Sequence, residues 1–427
     1  MYTLPEQFEF LSDAWLDEAR AFLARETARE RPAAFSISER FADAPPHLAR
    51  PSDVAAWSAS WDGTGLTVDR TVDEGADVTV EGDYQAALTA AQLVGITAPN
   101  AMEHLRREVA TQFGKDAVRT RGRSPSRQVD ELLARLHDHL GRRTVENPDL
   151  HHRAVRQGLA GHVAEMEEQG FTVLERAISD EFADELREHT VRALSEQSVT
   201  SLQWMLYQGR PFELLAQHAQ LMTLIDASLG RGAVIASLSA IRKGPGPGTI
   251  PLHTDYSHVP EPYPEWALTG VGVWALEDWT EASGPTWIVP GSHRLRRGPR
   301  RGEVAAGGIP IEMPKGSVVF FTAGVWHWQG DRTEPGERVT LHWHYNRGIL
   351  RSLEPKKVDP QMLHRNAPRL GEMLGEDDWF DTMRGIGRDH ERAAHMARLH
   401  AFTAEQKAAL LAAAPPRPGR TRPAGTR

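Results

Sequence analysis

The sequence contains no cysteine among its 427 residues. This absence excludes disulfides, zinc–thiolate sites, iron–sulfur clusters and thiol nucleophiles, so any metal must be bound by His, Asp or Glu. The sequence also lacks an apolar run near the ~20 residues that a membrane span needs. Residues 1–6 have neither the basic start nor the apolar core of a signal peptide. We therefore expect a cytoplasmic protein without a membrane span.

An excess of positive charge is missing as well. Lys and Arg number 49 and Asp and Glu number 58, which gives a net charge of −9. A chain with this balance has no global basic field for nucleic acid or anionic membranes. Its 40% hydrophobic and 25% charged residues are typical of a globular protein. Its length allows two or three domains of ~150 residues each, and its oligomeric state stays open.

One short motif, His253-x-Asp255, contains two potential metal ligands two residues apart. If this stretch is extended, both side chains point to the same face, so an imidazole nitrogen and a carboxylate oxygen can reach one ion. Two histidines and one carboxylate on one side of a metal are typical of non-haem Fe(II) oxygenases. Taken in isolation, the motif is more simply a surface histidine beside an Asx turn.

Further motifs follow in order along the chain. His327 lies 74 residues after His253 and follows the strand-like run 316–321, and Arg338 opens another strand-like run eleven residues later. Between them, the predicted strand 284–290 ends in Pro-Gly-Ser-His at 290–293. Upstream, the run 168–174 and a helix capped by Ser179 open the region.

Together these motifs resemble the phytanoyl-CoA dioxygenase family over about 160–350. The resemblance implies an all-β double-stranded β-helix, or jelly roll, with flanking helices over 159–350, and short strands between Gly and Pro turns favour the same fold. It implies a dioxygenase that uses Fe(II), 2-oxoglutarate and O₂. Such an enzyme hydroxylates or desaturates a small-molecule substrate and releases succinate and CO₂. The substrate and the position oxidised stay open.

The resemblance also implies roles for individual residues. His253, Asp255 and His327 would be the metal ligands and hence the catalytic residues. Arg338 would bind the distal carboxylate of 2-oxoglutarate through a two-pronged ion pair, and Thr340 would donate its hydroxyl to the same group. Halogenases of the broader group have a small residue where this chain has Asp255, so the carboxylate predicts hydroxylation or desaturation.

Several side chains near these motifs allow more than one interpretation. Trp274 matches a tryptophan that lines the cosubstrate pocket in the resembled family, and a core aromatic is at least as good an explanation. His342 and His344 share a strand face with Arg338 by period two. They are substrate-facing groups or, slightly favoured, satisfied core histidines. Gln329 occupies a position where the family often has a small hydroxylated residue, which leaves the cosubstrate contacts open.

The basic run Arg294–Arg301 and the loop after Asp255 are candidates for substrate contacts. The run either receives an anionic substrate such as a CoA ester or is a solvated loop, and charge runs are usually surface. The loop contains aromatic and imidazole side chains near the expected barrel mouth: Tyr256, His258, Tyr263 and Trp266.

Residues 1–125 are predicted to form a small α+β domain. Ser12 can cap a helix over 11–24, the residues Trp57 and Trp61 alternate with polar ones, and the run 77–81 is a further strand before a helix capped by Asp83. In outline this resembles sterol-carrier-protein-2-like domains, which often hold an apolar ligand. The resemblance favours an apolar substrate. A packing or dimerisation domain without a ligand is an equally good interpretation.

The remaining segments are predicted to connect or extend these domains. Residues 126–158 read as a linker with a helix, preceded by an Arg-rich stretch, and 351–414 as a helical extension. Its helices are expected at 359–374, 377–384, 388–400 and 403–414. The Pro- and Arg-rich tail 415–427 is expected to be disordered.

Two other functions remain open from the sequence alone. A metal-dependent barrel of different chemistry, such as a cupin-type isomerase, would keep the three metal ligands but would have no use for Arg338. A ligand carrier protein with a catalytically silent barrel would bind its ligand equally well with alanine at His253 or Asp255.

Overall fold

The computed structural model describes residues 7–49, 54–95, 109–110, 113–147, 149–256, 258–303, 306–352, 358–376 and 402–414. These residues form two compact units. The first contains the described residues up to 147 together with 358–371, and the second contains 149–352, 372–376 and 402–414. No helix in these ranges combines the length and the apolar character that a bilayer crossing requires.

The first unit is a five-stranded sheet covered by helices. Its strands in spatial order are β4-β3-β2-β5-β6, and a separate parallel pair joins β1 to β7. The strand bounds are β1 Phe8–Glu9, β2 Phe35–Ala42, β3 Val54–Trp61, β4 Leu66–Asp69, β5 Val78–Asp83, β6 Val118–Gly122 and β7 Thr144–Val145. The helices are α1 Asp13–Glu30, α2 Tyr84–Gln92 and α3 Arg127–Gly141.

The helix caps and the alternating strand predicted for this unit are present in the structure. The Ser12 side chain accepts a hydrogen bond from the Trp15 backbone at 3.2 Å and so caps α1. The strand β3 buries every second residue, including Trp57 and Trp61, which is the pattern of a half-buried strand. Asp83 caps α2 by accepting from the backbone amides of residues 85 and 86.

The predicted boundary at residue 125 needs correction, whereas the helix expected within 126–158 is present as α3. The helix α3 lies within that stretch and buries its apolar face in the core of the first unit, where Val129, Leu132 and Leu136 pack. Its hydrophobic residues recur at helical spacing and therefore require an apolar partner. Part of the Arg-rich stretch is the edge strand β6, whose exposed arginines suit an edge that must not pair further.

The second unit contains two antiparallel sheets. One has six strands in the order β8-β14-β11-β16-β10-β9, and the other has three in the order β13-β12-β15. The bounds are β8 Phe171–Leu174, β9 Ser201–Leu202, β10 Val234–Lys243, β11 Thr269–Ala275, β12 Thr286–Ile288, β13 Ile309–Pro310, β14 Val318–Thr322, β15 His327–Gln329 and β16 Arg338–Asn346. The predicted strands all occur, and the short strands β9, β13 and β15 were not predicted.

Helices flank these sheets. They are α4 Leu150–Arg156, α5 Ala160–Gln169, α6 Asp180–Glu196, α7 Arg210–Leu215 and α8 Ala219–Leu229. Further along the chain come α9 Pro360–Arg365, α10 Pro368–Met373 and α11 Ala404–Ala413. The predicted single helix 359–374 is divided because Pro368 starts a new helix. The predicted helices 377–384 and 388–400 and the tail 415–427 lie outside the described residues.

The inner face of the six-stranded sheet has an apolar side and a polar side. Directly opposed residues in antiparallel strands share a face, and the register sets Phe171, Phe321, Val271, His344 and Ser237 in one row across the sheet. The strands β8, β14 and β11 supply the apolar side chains, which pack with the three-stranded sheet. The strands β16 and β10 supply the polar ones.

The buried histidine His218 connects the outer helices to the strands. Its Nδ1 accepts from the Leu221 backbone at 3.4 Å and caps α8, and its Nε2 donates to the Ala177 carbonyl at 2.9 Å. Burial lowers the pKa of His218 to about 4. The unfolded chain, with a histidine pKa of about 6.5, therefore takes up this proton first as the pH falls.

We expect the free energy of unfolding to fall by about 2 kcal/mol between pH 7 and pH 5 through His218 alone. The sign follows from the lowered pKa: stability is full above about pH 6.5 and declines as the pH falls toward 4. Urea unfolding of wild type and His218→Asn at both pH values measures the effect, because asparagine can still cap α8. An equal loss in both proteins would contradict the prediction.

Candidate metal centre

The two histidines of the predicted triad are held together by backbone hydrogen bonds. His253 forms an isolated antiparallel bridge with His327, the first residue of β15, and each backbone amide donates to the other residue's carbonyl at 3.0 Å. Their ring centroids lie 4.2 Å apart. The Asp255 amide donates to the Ala323 carbonyl at 3.0 Å, which places the carboxylate beside both rings.

The ligand atoms converge on one point. The Asp255 carboxylate lies 3.4 Å from His253 Nε2 and 3.7 Å from His327 Nε2, and one donor atom from each residue lies within 4.8 Å of the other two. The Nδ1 atoms face the carbonyls of Pro251 and Val325 at 2.8 and 3.0 Å. Each Nδ1 therefore carries the hydrogen, and each Nε2 lone pair points toward the carboxylate.

The charge and burial of Asp255 fit a bound cation. Its Oδ2 is buried and has no hydrogen-bond partner among the residues that the structure describes. Burial alone would raise the pKa of Asp255, but the neighbouring His327 and His253 rings hold that pKa well below its usual range. An ionised, buried oxygen without a donor is costly unless a cation compensates it. A set of two imidazoles and one carboxylate suits Fe(II).

The Pro-Gly-Ser-His segment supports this centre without lining it. Ser292 accepts a hydrogen bond from the Trp326 amide at 2.8 Å and donates to the Val289 carbonyl at 2.6 Å. Trp326 directly precedes the ligand His327. The His293 ring packs against Gly170, where an added Cβ would lie 2.5 Å from the ring and φ is +83°. This segment therefore fixes the start of β15.

Arg338 is a buried cation without an ion-pair partner in the described part of the chain. Its side chain is 2% exposed, one of its terminal nitrogens donates to the Gly284 carbonyl, and the guanidinium lies 4.9 Å from the Trp279 ring centroid. Its Nε has no hydrogen-bond partner among the described residues. Burial lowers the pKa of Arg338 to about 10, which leaves it charged at neutral pH. Such a charge predicts an anionic ligand.

One cavity of about 160 Å³ contains both the three potential metal ligands and Arg338. Its polar lining comes from both sheets and includes Ser239, Thr286, Gln329, His342 and His344. The apolar lining is Ile241, Ile250, Val271, Val273, Phe321 and Trp328. The His327 ring packs against Phe321, with centroids 4.7 Å apart.

The histidines His342 and His344 line this cavity, as their strand face predicts. His342 contacts the Thr340 hydroxyl at 3.0 Å, and burial lowers its pKa to about 3. Gln329 also lines the cavity, and its side-chain oxygen accepts from the Thr249 amide and hydroxyl, each at 3.0 Å. Gln329 therefore fixes the position of Thr249, in the segment that precedes His253.

The structure corrects the prediction for Trp274. The strand β11 buries both faces, and the cavity is lined by Val271 and Val273. Because side chains alternate along a strand, Trp274 points to the opposite face, where it is fully buried against the His218 ring at 5.4 Å. The alternative interpretation as a core aromatic fits this position, and Trp274 does not line the cavity.

The arginines after His293 are partnered by acidic groups. Arg297 pairs with Glu303 at 2.8 Å, Arg300 with Glu261 at 2.6 Å and Arg296 with Glu265 at 3.1 Å. These ion pairs join the loop 261–265 to the run 294–301. Three of the five arginines of the run are neutralised in this way, which agrees with the solvated-loop interpretation.

The loop after Asp255 contributes packing more than a binding surface. Tyr256 and Tyr263 are buried against each other, with ring centroids 5.1 Å apart. Trp266 remains half-exposed under Arg347. The sequence interpretation missed Ser239, although the alternation of Ser237, Ser239 and Ile241 in β10 would have placed it on the inner face.

Comparison with known proteins relates part of the second unit to a family. The sequence profile of the phytanoyl-CoA dioxygenase family matches residues 166–338. The curated protein named dioxygenase af480, from Aspergillus fumigatus, is 28% identical over 159 residues, which are 36% of this chain and 51% of that protein. An uncharacterized protein of Mycobacterium tuberculosis, Rv1501, is 26% identical over 101 residues, which are 23% of this chain and 36% of that protein. The chain thus spans about half, or less, of the curated relatives it matches.

Several solved structures are similar to about half of the chain. HygX from Streptomyces hygroscopicus, with nickel and 2-oxoglutarate bound, is 13% identical with a TM-score of 0.39, covering 47% of this chain and 92% of that one. EctD from S. alaskensis with bound Fe is 21% identical with a TM-score of 0.40, covering 48% and 82%. The family match confirms the resemblance that the motifs indicated. Residues 166–338 of this chain match the phytanoyl-CoA dioxygenase family.

Proposed function

We propose that this chain is an Fe(II)- and 2-oxoglutarate-dependent dioxygenase on a jelly-roll barrel that hydroxylates or desaturates a small-molecule substrate. One observation carries the proposal: within the described residues, a His–Asp–His set whose buried carboxylate oxygen has no donor lines the same cavity as a buried arginine that has no ion-pair partner. The first fits a divalent cation and the second fits a carboxylate. A 2-oxo dicarboxylic acid is a ligand that engages both.

In this proposal the protein groups bind and orient the reactants. His253, Asp255 and His327 hold the metal on one side and leave its other positions open. Bound there, Fe(II) supplies the activation of O₂ that couples conversion of 2-oxoglutarate to succinate and CO₂ with oxidation of the substrate. Arg338 neutralises the distal carboxylate, and the apolar wall beside Val271, Val273 and Phe321 excludes water.

Arg338 also separates the proposal from its alternatives. A cupin-type barrel of other chemistry would retain the three ligands and gain nothing from a buried, unpaired guanidinium. A carrier protein would need neither feature. The sterol-carrier-protein-2-like first unit and an apolar substrate remain predictions from the sequence. Sequence similarity to dioxygenase af480 supports the reaction class and does not identify the substrate.

An anaerobic titration tests the proposed function directly. We expect Fe(II) followed by 2-oxoglutarate to produce a visible charge-transfer band in the wild-type protein, because the 2-oxo acid chelates the metal through its open positions. His327→Ala should lose the band. His258→Ala is the matched control, since this histidine is exposed and lies outside the cavity. Fe(II) binding without a band would favour the other barrel chemistry, and no Fe(II) binding would favour the carrier.

A further inference from the structure

Two neighbouring side chains on the inner face of β16 share one hydrogen bond. Thr340 Oγ1 lies 3.0 Å from His342 Nε2 and 3.4 Å from the Ile241 carbonyl. Thr340 is fully buried beneath the cavity lining and lies between Arg338 and His342, which line the cavity, on the same strand face. His342 lines the cavity, and its own carbonyl accepts from the Ser239 hydroxyl at 3.2 Å, which anchors the strand at this point.

The direction of this hydrogen bond decides what Thr340 offers to a ligand. A hydroxyl has one hydrogen and two lone pairs, and a neutral imidazole has one donor and one acceptor nitrogen. If Thr340 donates to His342 Nε2, only hydroxyl lone pairs remain, and these repel a carboxylate. If His342 donates, the Thr340 hydrogen is free for a carboxylate beside Arg338. The weak contact to the Ile241 carbonyl, at 3.4 Å, is easily exchanged for such a ligand.

We propose that His342 is a positioning residue for 2-oxoglutarate: its Nε2–H donates to Thr340 Oγ1, which directs the Thr340 hydrogen to the carboxylate that Arg338 binds. This inference rests on the proposed function and deepens it. His342 donates to Thr340, and Thr340 donates to the carboxylate. The last of these two hydrogen bonds is made to a charged group, which strengthens it, and consecutive hydrogen bonds also strengthen one another. His342 acts through Thr340 and need not touch the cosubstrate.

The proposal makes the two side chains energetically dependent on each other. The measured quantity is the anaerobic dissociation constant of 2-oxoglutarate from the Fe(II)-loaded protein, read from the charge-transfer band. We expect His342→Leu to raise it about fivefold to tenfold and Thr340→Val about tenfold or more. In the double variant His342→Leu should add nothing to Thr340→Val, because the group it acts through is gone. His342→Gln retains a side-chain N–H donor and should stay within about twofold of wild type.

A second ligand separates positioning from a general structural role. The probe 2-oxobutyrate chelates the metal in the same way but lacks the distal carboxylate. His342→Leu should therefore leave its dissociation constant unchanged, and the Fe(II) dissociation constant should also be unchanged. A structural defect near the metal would weaken both 2-oxo acids together.

Distinct results overturn the inference and the proposed function. Additive effects of His342→Leu and Thr340→Val, an unaltered constant in His342→Leu, or equal weakening of 2-oxobutyrate would each refute the role of His342 while leaving the dioxygenase proposal intact. Absence of the band in the wild-type protein would refute the dioxygenase proposal and this inference with it. If His342→Leu does not fold, the variants His342→Gln and Thr340→Ser test the role instead. Both retain the hydrogen-bond donors, so both should bind 2-oxoglutarate nearly as tightly as wild type. A tenfold loss of 2-oxoglutarate affinity in either variant refutes the role of His342.

Discussion

Alanine at Asp255 is expected to lower 2-oxoglutarate-dependent succinate formation by about a thousandfold or more, equivalent to ~4 kcal/mol of transition-state stabilisation. The substitution removes the sole carboxylate of the triad, whose Oδ2 is buried and lacks a hydrogen-bond donor in the described ranges. Two imidazoles alone bind a divalent cation weakly and leave its charge uncompensated. Succinate release in the presence of Fe(II), 2-oxoglutarate and O₂ measures the effect.

Thermal unfolding provides an independent measurement for the same variant. Fe(II) at a hundred times its dissociation constant should add about 2.7 kcal/mol to the stability of wild type through mass action, and nothing to Asp255→Ala. Asp184→Asn is the matched control, because this carboxylate is exposed and pairs only at the surface with Lys315. If an Asp255 variant retained both the stabilisation by Fe(II) and the formation of succinate, the proposed role of the metal would be wrong.

Methionine at Arg338 is expected to raise the dissociation constant of 2-oxoglutarate by about a hundredfold, since truncating a buried charge partner typically costs 2–5 kcal/mol. Methionine retains much of the side-chain volume and removes the charge. The same change should leave Fe(II) binding intact and should not weaken 2-oxobutyrate, which has no distal carboxylate. The anaerobic charge-transfer band reports all three quantities.

Arg338→Met should weaken 2-oxoglutarate binding, but it should not lower the stability of the ligand-free protein. Arg338 is 2% exposed, no described carboxylate forms an ion pair with it, and its guanidinium donates to the Gly284 carbonyl. Its replacement therefore relieves the cost of a buried charge at the loss of that one hydrogen bond. We expect equal or higher stability of Arg338→Met in urea. Arg332→Met is the control: Arg332 donates to the Ser283 and Pro335 carbonyls, so its loss should destabilise the protein. A large stability loss in Arg338→Met would mark it as a structural residue.

The sequence predicted the parts of the site that depend on local spacing. His253 and Asp255 lie two residues apart, and Arg338, His342 and His344 share a strand face, so their relation follows from the period of an extended chain. The meeting of His253 with His327 depends instead on a backbone bridge across 74 residues. Only the family resemblance, and no pattern in the chain, predicted that contact.

Errors arose where both faces of an element are buried. The strand β11 is apolar throughout, so its alternation does not say which face is inside, and Trp274 was placed in the cavity although it packs outside it. The strand β2 was missed although it lies at the centre of the first sheet, because its pairing with β3 and β5 is long-range. The helix α3 was taken for part of a linker because its apolar stripe has no visible partner in the sequence.

The inner face of the large sheet has an apolar side and a polar side, and both contribute to the cavity. Phe171, Val271 and Phe321 occupy one side of a row that ends in His344 and Ser237 on the other. We therefore expect exchanges at the polar positions of β10 and β16 to alter which molecules are accepted while the apolar layer stays intact. Libraries aimed at a changed specificity should begin with Ser239, which lines the cavity.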